Sequence, residues 1–165
     1  MLRQYITKNK ARTAEIPAKK AENFFREACW ILPAALVILS LVPKPVVGYF
    51  LHSEGEEALC HALAYSVLAF LLGIYFRFKR SFLSLRMTLP AVLLVACALC
   101  ALLGAFTELI QVFSPGRVPD LADFYDDMIG TAGGLFTFLV FRKLPLTRRL
   151  LENPPAAPRL RAEHP

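Results

Sequence analysis

Four stretches of this chain are apolar over the length that a helix needs to cross a bilayer, and that feature removes most folds from consideration. They run from about Phe24 to Val42, Glu57 to Phe76, Leu89 to Phe113 and Asp123 to Phe141. A hydrocarbon core about 30 Å thick calls for roughly 20 apolar residues per helix. The third stretch, roughly 25 residues at about 1.5 Å each, reaches some 37 Å and can cross with tilt. With 56% hydrophobic residues and 13 Phe among 165, the chain carries more apolar surface than a soluble domain of its size would bury. The expected fold is all-α: one membrane domain over residues 24–143, built as a four-transmembrane-helix bundle with short loops.

Local signals set the boundaries. Pro43-Lys44-Pro45 stops the first stretch, and Pro90 opens the third at an early helical position where a missing N–H costs little. Arg142-Lys143 closes the fourth. Residues 43–56 are expected to form a loop, with Tyr49 and Phe50 suited to the membrane interface. Residues 1–23 form a basic tail, and residues 144–165 form a Pro/Arg-rich tail whose composition predicts disorder.

The formal net charge of +6 invites a nucleic-acid reading, but the distribution of charge argues against one. Apart from Lys44 and Arg117, every Lys and Arg lies in the N-terminal region up to Arg26, in the 77–86 loop or from Arg142 onward. That asymmetry puts both termini in the cytoplasm and turns residues 43–56 and 114–122 outward. The expected partners are membrane lipids, with no nucleic acid, and the sequence leaves room for an oligomer. Cys97 and Cys100 make a CxxC spacing inside an apolar helix, where they read as small packing residues, as do Cys29 and Cys60. No disulfide framework is expected.

Polar chemistry is concentrated between Glu108 and Gly134. Carboxylates so close to hydrocarbon are costly and mark a functional site by default. Glu108 and Gln111 are three apart and share a helix face with the small residues Gly104 and Ala101, which suits close helix packing. On the second helix His61 and Tyr65 are four apart, near the same end. Ser114-Pro115-Gly116-Arg117 predicts a tight turn that presents a guanidinium fork to carboxylate or phosphate. The alternative is a clamp from Arg117 onto Asp120, Asp123 or Glu108. Asp120, Asp123, Asp127, Gly130 and Gly134 recur at intervals of 3, 4, 3 and 4, which is one helix face. Asp120 and Asp123 also suit a helix N-terminus, where acids are favoured; Asp127 lies too deep for that.

The candidate acid–base residues are therefore Glu108, His61, Asp123 and Asp127. Arg117, Gln111, Tyr65, Glu108 and Asp120 are candidates for ligand binding, and Gly104, Gly130 and Gly134 for helix packing. No compact metal motif such as HExxH is present and no cofactor is expected. The alternative to that reading is a divalent cation on His61, Glu108, Asp123 and Asp127 through N and O ligands.

The run Glu108-x-x-Gln111-x-Phe113-x-Pro115-Gly116-Arg117-x-x-Asp120-x-x-Asp123-x-x-x-Asp127-x-x-Gly130-x-x-x-Gly134, with His61-x-x-x-Tyr65 upstream, resembles the VanZ-like family. The resemblance covers about Glu57 to Phe141. The chain departs from the family pattern in having Thr107 in place of an acid, Asp127 in place of an Asn, and Glu57-Ala58 in place of an Asp-Lys pair. The resemblance implies a bacterial membrane protein of the cell envelope, in a family whose namesake is associated with resistance to the glycopeptide teicoplanin. Three functions fit these residues. The first is an outward polar pocket of His61, Glu108, Arg117 and Asp123 that recognises an anionic envelope lipid or cell-wall precursor. The second is a membrane enzyme acting on such a lipid by acid–base or metal chemistry. The third is a structural or regulatory module whose polar residues lock helices together.

Overall fold

The structure, a computed structural model, describes residues 23–77 and 88–144 with their side chains and the backbone of 78, 81–82 and 85–86. The basic 1–22 tail, part of the 77–86 loop and the tail from residue 145 lie outside the described residues.

The described residues form five helices: α1 (Asn23–Ser40), α2 (Lys44–Phe50), α3 (Glu54–Phe78), α4 (Leu89–Gln111) and α5 (Leu121–Phe141). A two-residue antiparallel ladder, β1 (Ser81–Phe82) with β2 (Leu85–Arg86), joins α3 to α4. The all-helical architecture is as expected. α1, α3 and α4 are long and apolar enough to cross a membrane; α5 falls outside that group, its first two turns carrying Asp123, Asp126 and Asp127.

One expectation needs correction. The 43–56 segment is not a plain loop: it folds into α2 and the first turn of α3, which starts at Glu54 instead of Glu57. Pro43 caps α2, and Pro45, early in that helix, lacks an N–H the first turn would have left unpaired anyway. The proline pair that stops α1 therefore starts α2. Ser53 Oγ accepts a hydrogen bond from Glu56 N–H at 3.3 Å, which anchors the first turn of α3.

α3 and α5 run parallel and form the tightest pair. A Cβ on Gly130 would overlap the carbonyl of Ala62, and one on Gly134 that of Ser66, so the two backbones touch one turn apart on each helix. Further along, a Cβ on Gly73 would stand 2.7 Å from the ring of Phe138, itself fully buried. Such approaches exploit van der Waals contact, which is what holds helices together where lipid removes the hydrophobic drive.

α4 lies antiparallel to both. Its buried stripe is Val92, Ala96, Cys100, Gly104, Thr107, Glu108 and Gln111, apolar at one end and polar at the other. Its opposite side exposes Leu94, Leu102, Phe106 and Leu109. Exposed aliphatic and aromatic side chains also line α1, including Trp30, Ile31 and Ile38. An exterior apolar to this extent is what a bilayer solvates and water does not. The apolar core collects Tyr65, Leu68, Ala69 and Leu72 of α3, Val92, Ala96 and Cys100 of α4, and Phe138 of α5.

Candidate functional site

The predicted acid–base and ligand-binding residues gather toward one end of the bundle, where α1 and α4 stop and α2, α3 and α5 begin. Helix ends expose unpaired backbone groups, and here side chains satisfy them. Ser114 Oγ donates to the carbonyl of Leu41 at 3.2 Å, and Arg117 Nε to that of Val42 at 3.0 Å, both just past the end of α1. Lys44 N–H donates to the carbonyl of Pro115 at 3.2 Å. These bonds tie the α1–α2 junction to the α4–α5 turn. That turn closes with Arg117 N–H on the carbonyl of Ser114 and carries Gly116 at φ 76°, a left-handed position that favours glycine.

Arg117 does not clamp Asp120, Asp123 or Glu108, the partners its loop suggested. It pairs with Glu57, Nη1 to Oε1 at 3.4 Å, while Lys44 Nζ reaches Glu57 Oε2 at 2.7 Å. Glu57 and Arg117 are both nearly buried, with side-chain exposures of 12% and 7%. Glu57 is the principal residue that sequence reasoning missed. In the sequence it stands at a helix boundary, although its spacing of four from His61 places both on one face of α3.

Glu108 turns inward and acts within its own corner. Its Oε1 accepts from Gln111 Nε2 at 3.1 Å, and its Oε2 from Asp120 N–H at 2.9 Å. Asp120 caps α5, accepting from Ala122 N–H at 2.9 Å, as its position suggested. Asp127 is fully buried, and its Oδ1 lies 2.9 Å from His61 Nδ1. A Cβ on Gly104 would come within 2.9 Å of Asp127 Oδ2, so the glycine expected to admit a neighbouring backbone in fact admits a carboxylate. Tyr65 is buried, its hydroxyl 3.3 Å from Thr107 Oγ1, which in turn donates to the carbonyl of Gly104 at 2.8 Å. Thr107, where the family pattern has an acid, is thus part of an internal network.

Two cavities meet here. One, of about 540 Å³, lies between α1, α2, α3 and α4 and is almost wholly apolar, with Leu36, Leu39, Val46, Phe50 and Ala64 among its walls. The other, of about 570 Å³, is a polar basin lined by Lys44, Glu54, Asp120, Asp123 and Asp126. Glu57, Gln111 and Arg117 line both. His61 and Tyr65 face the apolar chamber. Neither cavity includes Glu108 or Asp127 in its walls. The four-residue cation set expected from the sequence is likewise not the one assembled. One ligand atom each from Glu57, His61 and Asp123 lie within 4.8 Å of one another, and Glu108 and Asp127 are not in that group.

An apolar exterior, three membrane-length helices and a polar cluster at one end of the bundle are the features of a helical membrane protein. A sequence model of the VanZ/LLP1 family matches residues 17–142, most of the chain and all five helices, and the protein belongs to that family. No curated protein and no solved structure matches it.

Proposed function

We propose that this is a four-span protein of the bacterial cell membrane, both termini cytoplasmic, which seats an amphiphile at its outer face. The amphiphile is an anionic envelope lipid or a lipid-linked cell-wall precursor, through which the protein affects glycopeptide susceptibility. The observation that carries this reading is the shared wall: an apolar chamber and a polar basin of similar volume meet at Glu57, Gln111 and Arg117. A molecule with a hydrocarbon chain and a polar head needs both compartments side by side. Ligand pockets of a few hundred cubic ångströms with few polar groups at one edge are the ordinary form of such sites. Arg117 and Lys44 supply positive charge at the rim for a phosphate or carboxylate.

Arg117→Ala is a poor probe, because it orphans the carbonyl of Val42 and leaves Glu57 without its buried partner. Breaking a buried pair from one side costs about 3–5 kcal/mol. Ala64→Phe is cleaner, since it fills the chamber and touches neither the ion pairs nor the α3–α5 seam. Native mass spectrometry of the wild type in mild detergent is expected to show a retained lipid, and Ala64→Phe to lose it with thermal stability unchanged. Equal lipid occupancy in both proteins would remove the chamber from the account.

A further inference from the structure

We infer that Glu57, His61 and Asp123 form a binding site for a divalent cation of the zinc–manganese class, set in the wall between chamber and basin. One donor atom from each residue lies within 4.8 Å of the other two. Ligand bonds of about 2.0–2.2 Å in tetrahedral geometry hold donors roughly 3.3–3.6 Å apart. Drawing the three atoms onto one ion therefore takes shifts on the order of 1 Å, which side-chain rotation of Glu57 and Asp123 can supply. One imidazole and two carboxylates suit zinc or manganese, whereas magnesium and calcium favour oxygen alone.

Three further observations point to a cation. The first is the orientation of His61. Its Nδ1 lies 2.9 Å from the buried Asp127 carboxylate; with that carboxylate ionised and the imidazole neutral, Nδ1 is the donor and Nε2 carries the lone pair that a metal needs. A carboxylate holding the far nitrogen of a histidine is the usual support for a metal ligand. The second is Glu57 Oε1, a buried oxygen that makes no hydrogen bond among the described residues and has only the long ion pair to Arg117 Nη1 at 3.4 Å. The third is charge: the basin presents Glu54, Glu57, Asp120, Asp123 and Asp126 against only Lys44 and Arg117. Such an excess of carboxylate attracts a cation, and a bound cation relieves the repulsion among the acids. The donors also stand on rigid elements. Glu57 and His61 are one turn apart on α3, and Asp123 is on α5, which the glycine contacts press against α3.

Three protein donors leave coordination positions for water or for a phosphate oxygen entering from the basin. The site itself is independent of the amphiphile; only that role for its open positions rests on the reading above.

The test uses the full chain in detergent, stripped with EDTA and then titrated with Zn²⁺ or Mn²⁺, with metal content and thermal unfolding as readouts. The wild type is expected to bind about one equivalent and to melt at a higher temperature when loaded. The Asp123 side chain makes no hydrogen bond or ion pair among the described residues and sits in the first turn of α5, so Asp123→Asn should lower the metal-free melting temperature only slightly while weakening binding at least about tenfold. Asp127→Asn, acting through His61, should weaken affinity about 10- to 100-fold and keep the one-to-one stoichiometry. A wild type that holds no more metal than Asp123→Asn, or an Asp123→Asn of unchanged affinity, overturns the site. Lipid retained by stripped wild type that then takes up no cation upholds the amphiphile and sinks the cation; cation uptake by lipid-free protein does the reverse.

Discussion

Glu108 illustrates how a residue can be prominent in sequence and still act locally. The residue is 9% exposed, and its carboxylate holds Gln111 on one oxygen and the backbone of Asp120 on the other. It thereby joins the end of α4 to the start of α5. Glu108→Ala leaves the Asp120 N–H and the Gln111 amide without that partner, which is expected to cost about 1–3 kcal/mol. Glu108→Gln retains an acceptor and should cost less. Thermal unfolding in detergent reads both, and equal melting points for the alanine variant and the wild type would show the carboxylate to be idle. The sequence showed that Glu108 and Gln111 share a face, because helical spacing alone requires it. It did not show that Arg117 turns to Glu57, because that pairing depends on where α1 and α2 place the carbonyl of Val42. Glu57 was legible in principle through its spacing from His61, yet its position at the head of an apolar block made it look like a boundary.

Among the elements, the α3–α5 pair was the most readable. The 3, 4, 3, 4 spacing from Asp120 to Gly134 predicted one face carrying acids above and glycines below, and the glycines do meet a helix backbone. Which helix they meet was hidden, since small residues occur on both α3 and α4. Gly133, though part of the same glycine-rich run, is different: a methyl added there would have only Ser66 Oγ nearby, at 3.9 Å. Gly130→Ala and Gly134→Ala should therefore each destabilise by about 1–3 kcal/mol or more, as overpacking does. Gly133→Ala should be neutral or slightly stabilising, because alanine is the better helix former. Similar melting points for all three variants would contradict the seam. α2 escaped sequence reading for a different reason: seven residues are too few to show a hydrophobic period, and only the prolines at its head mark it.

At the scale of the whole molecule, the proposed function turns on how α5 meets the membrane. Hydropathy counts each residue as if it faced lipid, and on that basis Asp123, Asp126 and Asp127 exclude α5 from the spans. In the bundle Asp127 faces His61 and is fully buried, while Asp120 and Asp123 lie at the polar end. From Gly130 to Phe138 the helix runs parallel to α3, in contact at Ala62, Ser66 and Gly73. A helix in parallel register with a spanning neighbour shares its depth, so α5 is expected to cross as α3 does. The distribution of Lys and Arg then predicts the direction, with Leu144 expected inside and both Gly55 and Val118 outside. Single cysteines at these three exposed positions, in a variant whose native Cys29, Cys60, Cys97 and Cys100 are replaced by alanine, make this measurable. An impermeant maleimide added to intact cells should label Gly55→Cys and Val118→Cys and spare Leu144→Cys until the membrane is opened. Labelling of Val118→Cys and Leu144→Cys from the same side would mean that α5 lies along the surface, and the polar basin would then no longer open at the outer face.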